Sequence, residues 1–476
     1  MKNKPMKILF IVRAPIYEPP IGMMHLSSVL KEGGHLTDLI IVNEVDTFSD
    51  VCDQVKEYGP DIIAYSLLSG NEGFFLELNN FLKGKLEFKS IFGGPHTTFF
   101  QDLIEKEGVD ITCAGEGEYA LLELANKLSN NEDITRIPNL AVKIDKRIYR
   151  NGMRNLIEEL DSLPFPDRGL FYQYKRIGND PIKHFMATRG CPYNCTYCFN
   201  HAYNKLYTGK GKMIRHRSVD NVITEIKQVI DKYPTKMIYF QDDTFILDKE
   251  WLKNFAQKYK EEINLPYHCH VRANLVDEDV IRGLKMSGCT GVHMAIETAN
   301  DKIRNEILRR NMSKKQILNA ITLLKKYKIK LLCQNILALP TSQLRDDINT
   351  LKLNIKCKPT YAWASIFTPY PGLDLTKFCI ENNLLEGEIG KNLYDSCVVK
   401  VDQKEKRTRL QRWFAITSRY PILLYSGLLY LLVNINSKYL DKISERIYLY
   451  FRKKRDRHIY DLDLKWDKPV YKKQAI

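Results

Sequence analysis

The sequence predicts an α/β fold in three parts: a doubly wound, Rossmann-like parallel sheet, a partial (β/α) barrel, and a helical C-terminal tail. Three observations predict it. Short apolar runs alternate with helical patterns over residues 6–130, a second series of the same kind begins at HFMATRG, and a strongly basic segment without strand patterning follows. At 476 residues the chain is too long for one ordinary core. We divide it at residues 1–136, 137–181, 182–385 and 386–476.

In the first part KILFIV, DLIIV, DIIAYSL, SIFGG and DITCAG read as buried strands, bounded by Gly, Pro or Asp. IGMMHLSSVLKEGG and TTFFQDLIEKEG carry apolar residues at helical spacing between them. Ligands on such sheets bind beyond the carboxyl ends of the strands. Residues 137–181 read as a connector, with a hairpin in IPNLAVKIDKRIYRNG and a Pro-rich stretch, LDSLPFPDRGLF. KMIYFQDD, YHCHVRAN, GVHMAIET, KLLCQNILALP and YAWASIFTPY supply the later strands, as in a parallel barrel.

Composition narrows the function. With 44% hydrophobic and 27% charged residues the chain falls in the ordinary globular class. The start MKNKPMKILFIVRAP shows no secretory pattern, and eleven cysteines in so long a chain fit a reducing, cytoplasmic compartment better than a disulfide scaffold. The net charge of +15 is unevenly spread: residues 404–476 hold 18 Lys/Arg against 7 Asp/Glu. A basic tail is therefore the feature to explain, and nucleic acid binding by the whole chain is disfavoured.

Eight cysteines (Cys52, Cys113, Cys269, Cys289, Cys333, Cys357, Cys379 and Cys397) read as small core hydrophobes. The other three form RGCPYNCTYC, with Cys191, Cys195 and Cys198 at Cys-x3-Cys-x2-Cys spacing. Eleven cysteines placed at random would produce this spacing with a chance of only about 0.6%. Zinc would need a fourth ligand, for which His201 is the nearby candidate. Three thiolates on a four-iron cube instead leave one iron open to a small molecule.

This triplet, with Tyr197 before its last cysteine, resembles the signature of the radical S-adenosylmethionine (SAM) superfamily. The resemblance implies a [4Fe–4S] cluster on Cys191, Cys195 and Cys198. It further implies SAM on the open iron, cleaved to a 5′-deoxyadenosyl radical. Tyr197, Gln241, Asp242, Asp243, Arg272 and Glu297 occupy the positions at which that family contacts SAM. Helix capping is the plainer reading of the paired Asp242 and Asp243. Ala295 stands where glycine is frequent in the family.

In the first part, Ser66, Leu68, Gly93 and Gly94 lie in SLLSG and GGPH, some 24 residues apart. Together with GEGEY at 115–119 they resemble the cobalamin-binding domain found ahead of some radical SAM enzymes. The loop VRAPIYEPP lacks the Asp-x-His-x-x-Gly of cobalamin mutases, which implies cobalamin bound without a lower histidine. His25 and His96 read as structural. A doubly wound domain that binds something else is the plainer alternative.

The resemblance covers roughly residues 6–385. It implies methylation of an unactivated carbon of a small-molecule or lipid-like substrate, with an electron donor such as flavodoxin or ferredoxin. Oxidative cyclisation or rearrangement with the same cofactors is the runner-up. A tRNA methylthiotransferase ranks lower, since only Cys52 and Cys113 precede the triplet. In the tail, an apolar run over residues 421–433 falls short of a bilayer span. With the basic helix after it, the run reads either as a helix packed on the barrel or as a peripheral anchor attracted to anionic lipid.

Overall fold

In the computed structural model, residues 4–386, 398–460, 462 and 471–473 are described, except for the side chains of 453–458. Cys397 and part of the basic tail lie outside them.

Five parallel strands form the first sheet: β1 (Lys7–Arg13), β2 (Leu36–Val42), β3 (Ile62–Ser66), β4 (Lys89–Gly93) and β5 (Ile111–Cys113). Their near-continuous apolar runs suit burial on both faces, and in β1 all five residues from Ile8 to Val12 are buried. The hairpin β6 (Leu140–Ile144) and β7 (Arg147–Arg150) pairs antiparallel against β5. The sheet thus runs β2-β1-β3-β4-β5-β6-β7, and the front of the sequence-defined connector is one of its edges. The helix Phe48–Tyr58 begins at a Thr47–Asp50 capping box and ends at left-handed Gly59. The long helix expected in TTFFQDLIEKEG is interrupted: an α-turn over Gly94–Phe99 gives way at Phe100, whose ψ of 70° leaves the helical region, to a 3₁₀ turn over Gln101–Glu105.

The second sheet takes β8 (Ile182–Phe185), β11 (Met237–Phe240), β12 (Tyr267–Val271), β13 (Cys289–Glu297), β14 (Lys330–Leu337) and β15 (Tyr361–Ile366) in that order, all parallel. Between them β9 (Thr188–Arg189) and β10 (Arg215–His216) make a small antiparallel pair beside the cysteine loop. This open barrel and the first sheet share one hydrophobic core. Ile8, Met24 and Leu124 on one side belong to the same buried cluster as Phe171, Val222 and Phe255 on the other.

The tail is largely structural. Helix Lys404–Arg419 lies against β15 and helix Leu344–Cys357 through Leu410, Trp413 and Phe414. The run 421–433 is split by Ser426 and Gly427, the latter at φ 79°, into Ile422–Tyr425 and Leu428–Asn434. Helix Lys438–Tyr460 returns to the barrel, where Ile459 packs on Leu332 and Tyr361. Among the described residues no helix is long and apolar enough to cross a membrane.

Candidate functional site

The cysteine loop leaves β9 at the carboxyl end of the barrel strands, and Cys198 forms the N-cap of helix Phe199–Leu206. Thr196 fastens the loop across the barrel mouth, its hydroxyl donating to Ile307 O at 2.6 Å and its amide to Leu308 O at 3.2 Å. Asn204 Nδ2 donates to Cys191 O at 2.8 Å. Cys195 is buried, Cys191 and Cys198 half-buried, and none of the three is in a disulfide. Burial raises the Cys191 thiol pKa and pushes that of Cys198 up to about 12. Such thiols keep their protons at neutral pH until a metal displaces them.

A buried cation waits beside them. Arg272 Nη1 points at Cys195 Sγ from 3.6 Å, the guanidinium lies 3.7 Å over the Tyr193 ring centre, and its buried Nε has no hydrogen-bond partner. An Arg next to thiolates offsets negative charge that the low-polarity pocket would otherwise resist. His201, the fourth ligand a zinc site would need, is engaged elsewhere, its Nε2 3.0 Å from Asp374 Oδ2. The three cysteines thus share one loop with a cationic neighbour and no fourth ligand at His201, although among the described residues no three such side chains already stand close enough together to hold a metal ion.

The other SAM-contact candidates divide. Tyr197 Oη donates to Glu297 Oε1 at 2.7 Å and accepts from Arg310 Nη1 at 2.8 Å. Arg310 Nη2 also donates to Ala295 O at 2.9 Å. Glu297 sits at φ 65°, where the β13–β14 register shifts, a conformation rare for a non-glycine residue. Burial raises its carboxyl pKa against the pull of Arg310 and Tyr197. Asp243 is solvent-accessible in a recess beside Asn200, and desolvation raises its pKa.

Asp242 is turned the other way. Its carboxylate is buried and accepts the Ala187 amide at 3.2 Å, bracing the strand that enters the cysteine loop. Gln241 Nε2 lies 2.7 Å from His184 Nδ1 inside the barrel. Neither aspartate caps a helix, because Asp248 caps Lys249–Glu262. Deeper in the barrel Tyr239 Oη stands 2.5 Å from His270 Nε2 and 3.1 Å from His293 Nδ1, a polar cluster missed from sequence. Strand alternation in YHCHV and GVHM was its available signal.

On the first sheet Ser66, Gly93 and Gly94 meet at the carboxyl ends of β3 and β4, and Leu68 is exposed above them. Gly94 holds φ 92°, and a Cβ there would fall 2.8 Å from Ser66 Oγ. At Gly93 a Cβ would meet only Cys113, at an ordinary 3.8 Å, so a methyl there would be accommodated without displacing the protein. His96 is held by Ser69 at 3.0 Å and stacked on Phe100, and burial drives His25 down to about 3.

The GEGEY loop joins the two sites. Glu116 accepts from Arg189 Nη1 at 3.1 Å and Arg215 Nη1 at 2.7 Å, and Glu118 from Arg189 Nη2 at 2.7 Å. Burial opposes the Arg189 charge, yet Glu118 and Glu116 hold its pKa above the ordinary value. A Cβ on Gly115 would collide with Tyr207, whose hydroxyl accepts the Glu116 amide at 2.9 Å. These pairs were not legible because each partner lies some 70–100 residues from the other.

Two family models match the chain: the radical SAM superfamily over residues 186–353 and the B12 binding domain over residues 8–125. An uncharacterized methyltransferase of Pyrococcus horikoshii is 30% identical over 373 residues, covering 77% of this chain and 80% of its own. The chain belongs to the radical SAM enzymes that carry a B12-binding domain. Cytidylyl-2-hydroxyethylphosphonate methyltransferase of Streptomyces wedmorensis is 22% identical, over 65% of this chain and 67% of its own. The fold of this radical SAM enzyme resembles that of the cobalamin-dependent radical enzyme OxsB, with TM-score 0.71 at 14% identity over 96% of this chain and 72% of that one.

Proposed function

We propose that this radical SAM enzyme methylates an unactivated carbon of a small-molecule substrate. The observation that carries the reading is the joining of a three-cysteine barrel mouth and a glycine-lined sheet end by the Glu116/Glu118–Arg189/Arg215 bridge. Cys191, Cys195 and Cys198 would hold the cluster; Tyr197, Gln241, Asp243, Arg272 and Glu297 would line the SAM site. Ser66, Leu68, Gly93 and Gly94 would cradle cobalamin, without a histidine beneath the cobalt. When bound, these groups supply a 5′-deoxyadenosyl radical and a transferable methyl group.

The protein's own residues have three tasks. Arg272 balances thiolate charge, and Asp242 fixes the entry of the cysteine loop through the Ala187 amide. Tyr197, held between Glu297 and Arg310, keeps its proton because burial drives its pKa well above the ordinary tyrosine value. A phenol fixed in this way positions the Glu297 carboxylate without exchanging protons at neutral pH. Electrons would come from a small carrier such as flavodoxin or ferredoxin.

A methylthiotransferase needs a second cluster. Cys52 and Cys113 are buried in separate cores of the first sheet and supply no such set. The test uses anaerobically purified, reduced enzyme incubated with SAM. Absorbance of both an iron–sulfur cluster and a base-off corrin, with S-adenosylhomocysteine formed alongside 5′-deoxyadenosine, is expected. Corrin without S-adenosylhomocysteine would favour cyclisation or rearrangement, and a corrin-free protein would refute both.

A further inference from the structure

The split of the apolar run at Ser426–Gly427 gives it two faces. Leu424, Leu429 and Val433 are buried against Leu410, Trp413 and Phe414, which fixes both short helices to the barrel. The opposite face has no protein cover: Ile422 is 69% exposed, Tyr425 68%, Leu431 57%, and Leu428 and Tyr430 are also exposed. Tyr439, 74% exposed, continues the patch onto the next helix. Apolar residues scattered singly are normal on a surface, but a contiguous group of this size marks a contact site.

Charge chooses the partner. From Tyr420 to Leu440 the sequence has no acidic residue, and Arg419, Lys438 and Lys442 stand exposed around the patch. Of the nearest acids, Asp441 pairs with Arg409 Nε at 3.1 Å and Arg412 Nη1 at 3.4 Å, and the exposed Glu445 is matched by the exposed Arg446 next to it. An isologous contact between two copies would set each of these cations against its own like. A surface that is apolar beneath and negative at its rim satisfies both features. We propose that residues 419–442 dock this enzyme on an anionic membrane surface, with Ile422, Tyr425, Leu428 and Leu431 entering the headgroup–acyl boundary. Tyrosines 425, 430 and 439 suit that depth, having an apolar ring and a polar tip.

Full-length enzyme is centrifuged with vesicles of phosphatidylcholine alone or mixed with phosphatidylglycerol. Each cation near such a surface strengthens binding about fivefold, so three predict a preference on the order of a hundredfold for the anionic vesicles. Ile422→Ser/Tyr425→Ser/Leu431→Ser should abolish the binding, and Arg419→Gln/Lys438→Gln/Lys442→Gln should remove the preference. Both variants should keep the parent's melting temperature and iron content, because the six side chains are exposed. Absent binding, or binding equal to both vesicles and unchanged by either variant, overturns the proposal. So does a doubled mass in light scattering that the serine variant alone restores to monomer, which assigns the patch to a second copy.

Discussion

Replacing Glu116 with Gln tests whether the first sheet and the cysteine loop are locked together electrostatically. Glu116 takes two guanidinium hydrogen bonds, from Arg189 and Arg215, and a third bond from the Ile157 amide at 2.9 Å. Its side chain is 10% exposed and that of Arg215 only 3%. Removing one partner of a buried ion pair costs about 3–5 kcal/mol. Gln keeps one acceptor oxygen, and Arg189 keeps Glu118, so the lower end, about 3 kcal/mol, applies. Unfolding entropy near 2.1 cal/mol/K per residue then gives a melting shift of about 3 °C for a chain of this length. Arg189 stands two residues before Cys191, so the same substitution should lower iron bound per chain after anaerobic reconstitution. In an Arg215→Met background the additional cost of Glu116→Gln should fall below about 1 kcal/mol, because the unpaired charge has been removed. Scanning fluorimetry and iron assay read both effects. An unshifted melting point with full iron loading, or an undiminished cost in the Arg215→Met background, would refute the interdomain lock.

The two glycines of the first sheet should separate in behaviour. Gly94→Ala, forced to φ 92° with its methyl 2.8 Å from Ser66 Oγ, should cost about 2–4 kcal/mol in urea unfolding. Gly93→Ala should unfold like the parent yet retain little corrin on desalting, and full corrin retention would remove Gly93 from the cradle. Burial pushes the Asp242 carboxyl up to about 6 from an ordinary 3.8, so the folded state holds this proton more tightly than the unfolded chain. Its contribution to stability is therefore lost as pH rises from about 4 to about 6. Asp242→Asn, which keeps an acceptor for Ala187, should match the parent below that window and exceed it above by up to about 3 kcal/mol; parallel stability profiles across the window would contradict this. Glu225 bridges Arg168 and Arg217 at 2.5 Å each, all nearly fully buried, and Glu225→Gln should cost about 3–5 kcal/mol in the same unfolding assay.

The strands were legible because a parallel strand buried on both faces writes itself as an unbroken apolar run, as in ILFIV and IIAYS. The cysteine loop was legible because its three cysteines lie within eight residues of one another. What escaped is non-local or depends on facing. β11 ends at Phe240, so period-two alternation no longer assigns faces to Asp242 and Asp243, and one of two adjacent carboxylates turns to a backbone amide while the other faces the recess. Arg310 reaches Tyr197 from 113 residues away, and nothing in LRRN marks it. Residues 421–433 read as one apolar run, yet Gly427 at φ 79° breaks it into two short helices, each with one buried and one exposed face.

The basic tail illustrates why charge counted along a sequence overstates charge on a surface. Arg407 is fully buried and donates from Nε to Asp347 at 2.6 Å, and Arg409 is spent on Asp441 and Asn436. These cations bind the tail to the barrel, and only the exposed remainder is available to a partner. The end of the tail closes the barrel from within: the Tyr460 ring packs 4.8 Å from that of His268 and within 6.4 Å of His293, below the Tyr239–His270–His293 cluster. Burial depresses His268 to about 3 and His270 to about 4, so these two imidazoles are neutral at physiological pH. Removing the tail would open the barrel floor and strip the exposed apolar patch at once. The patch and the barrel floor therefore separate only under point substitution: exposed residues such as Ile422 bear on the first, and Ile459 and Tyr460 bear on the second.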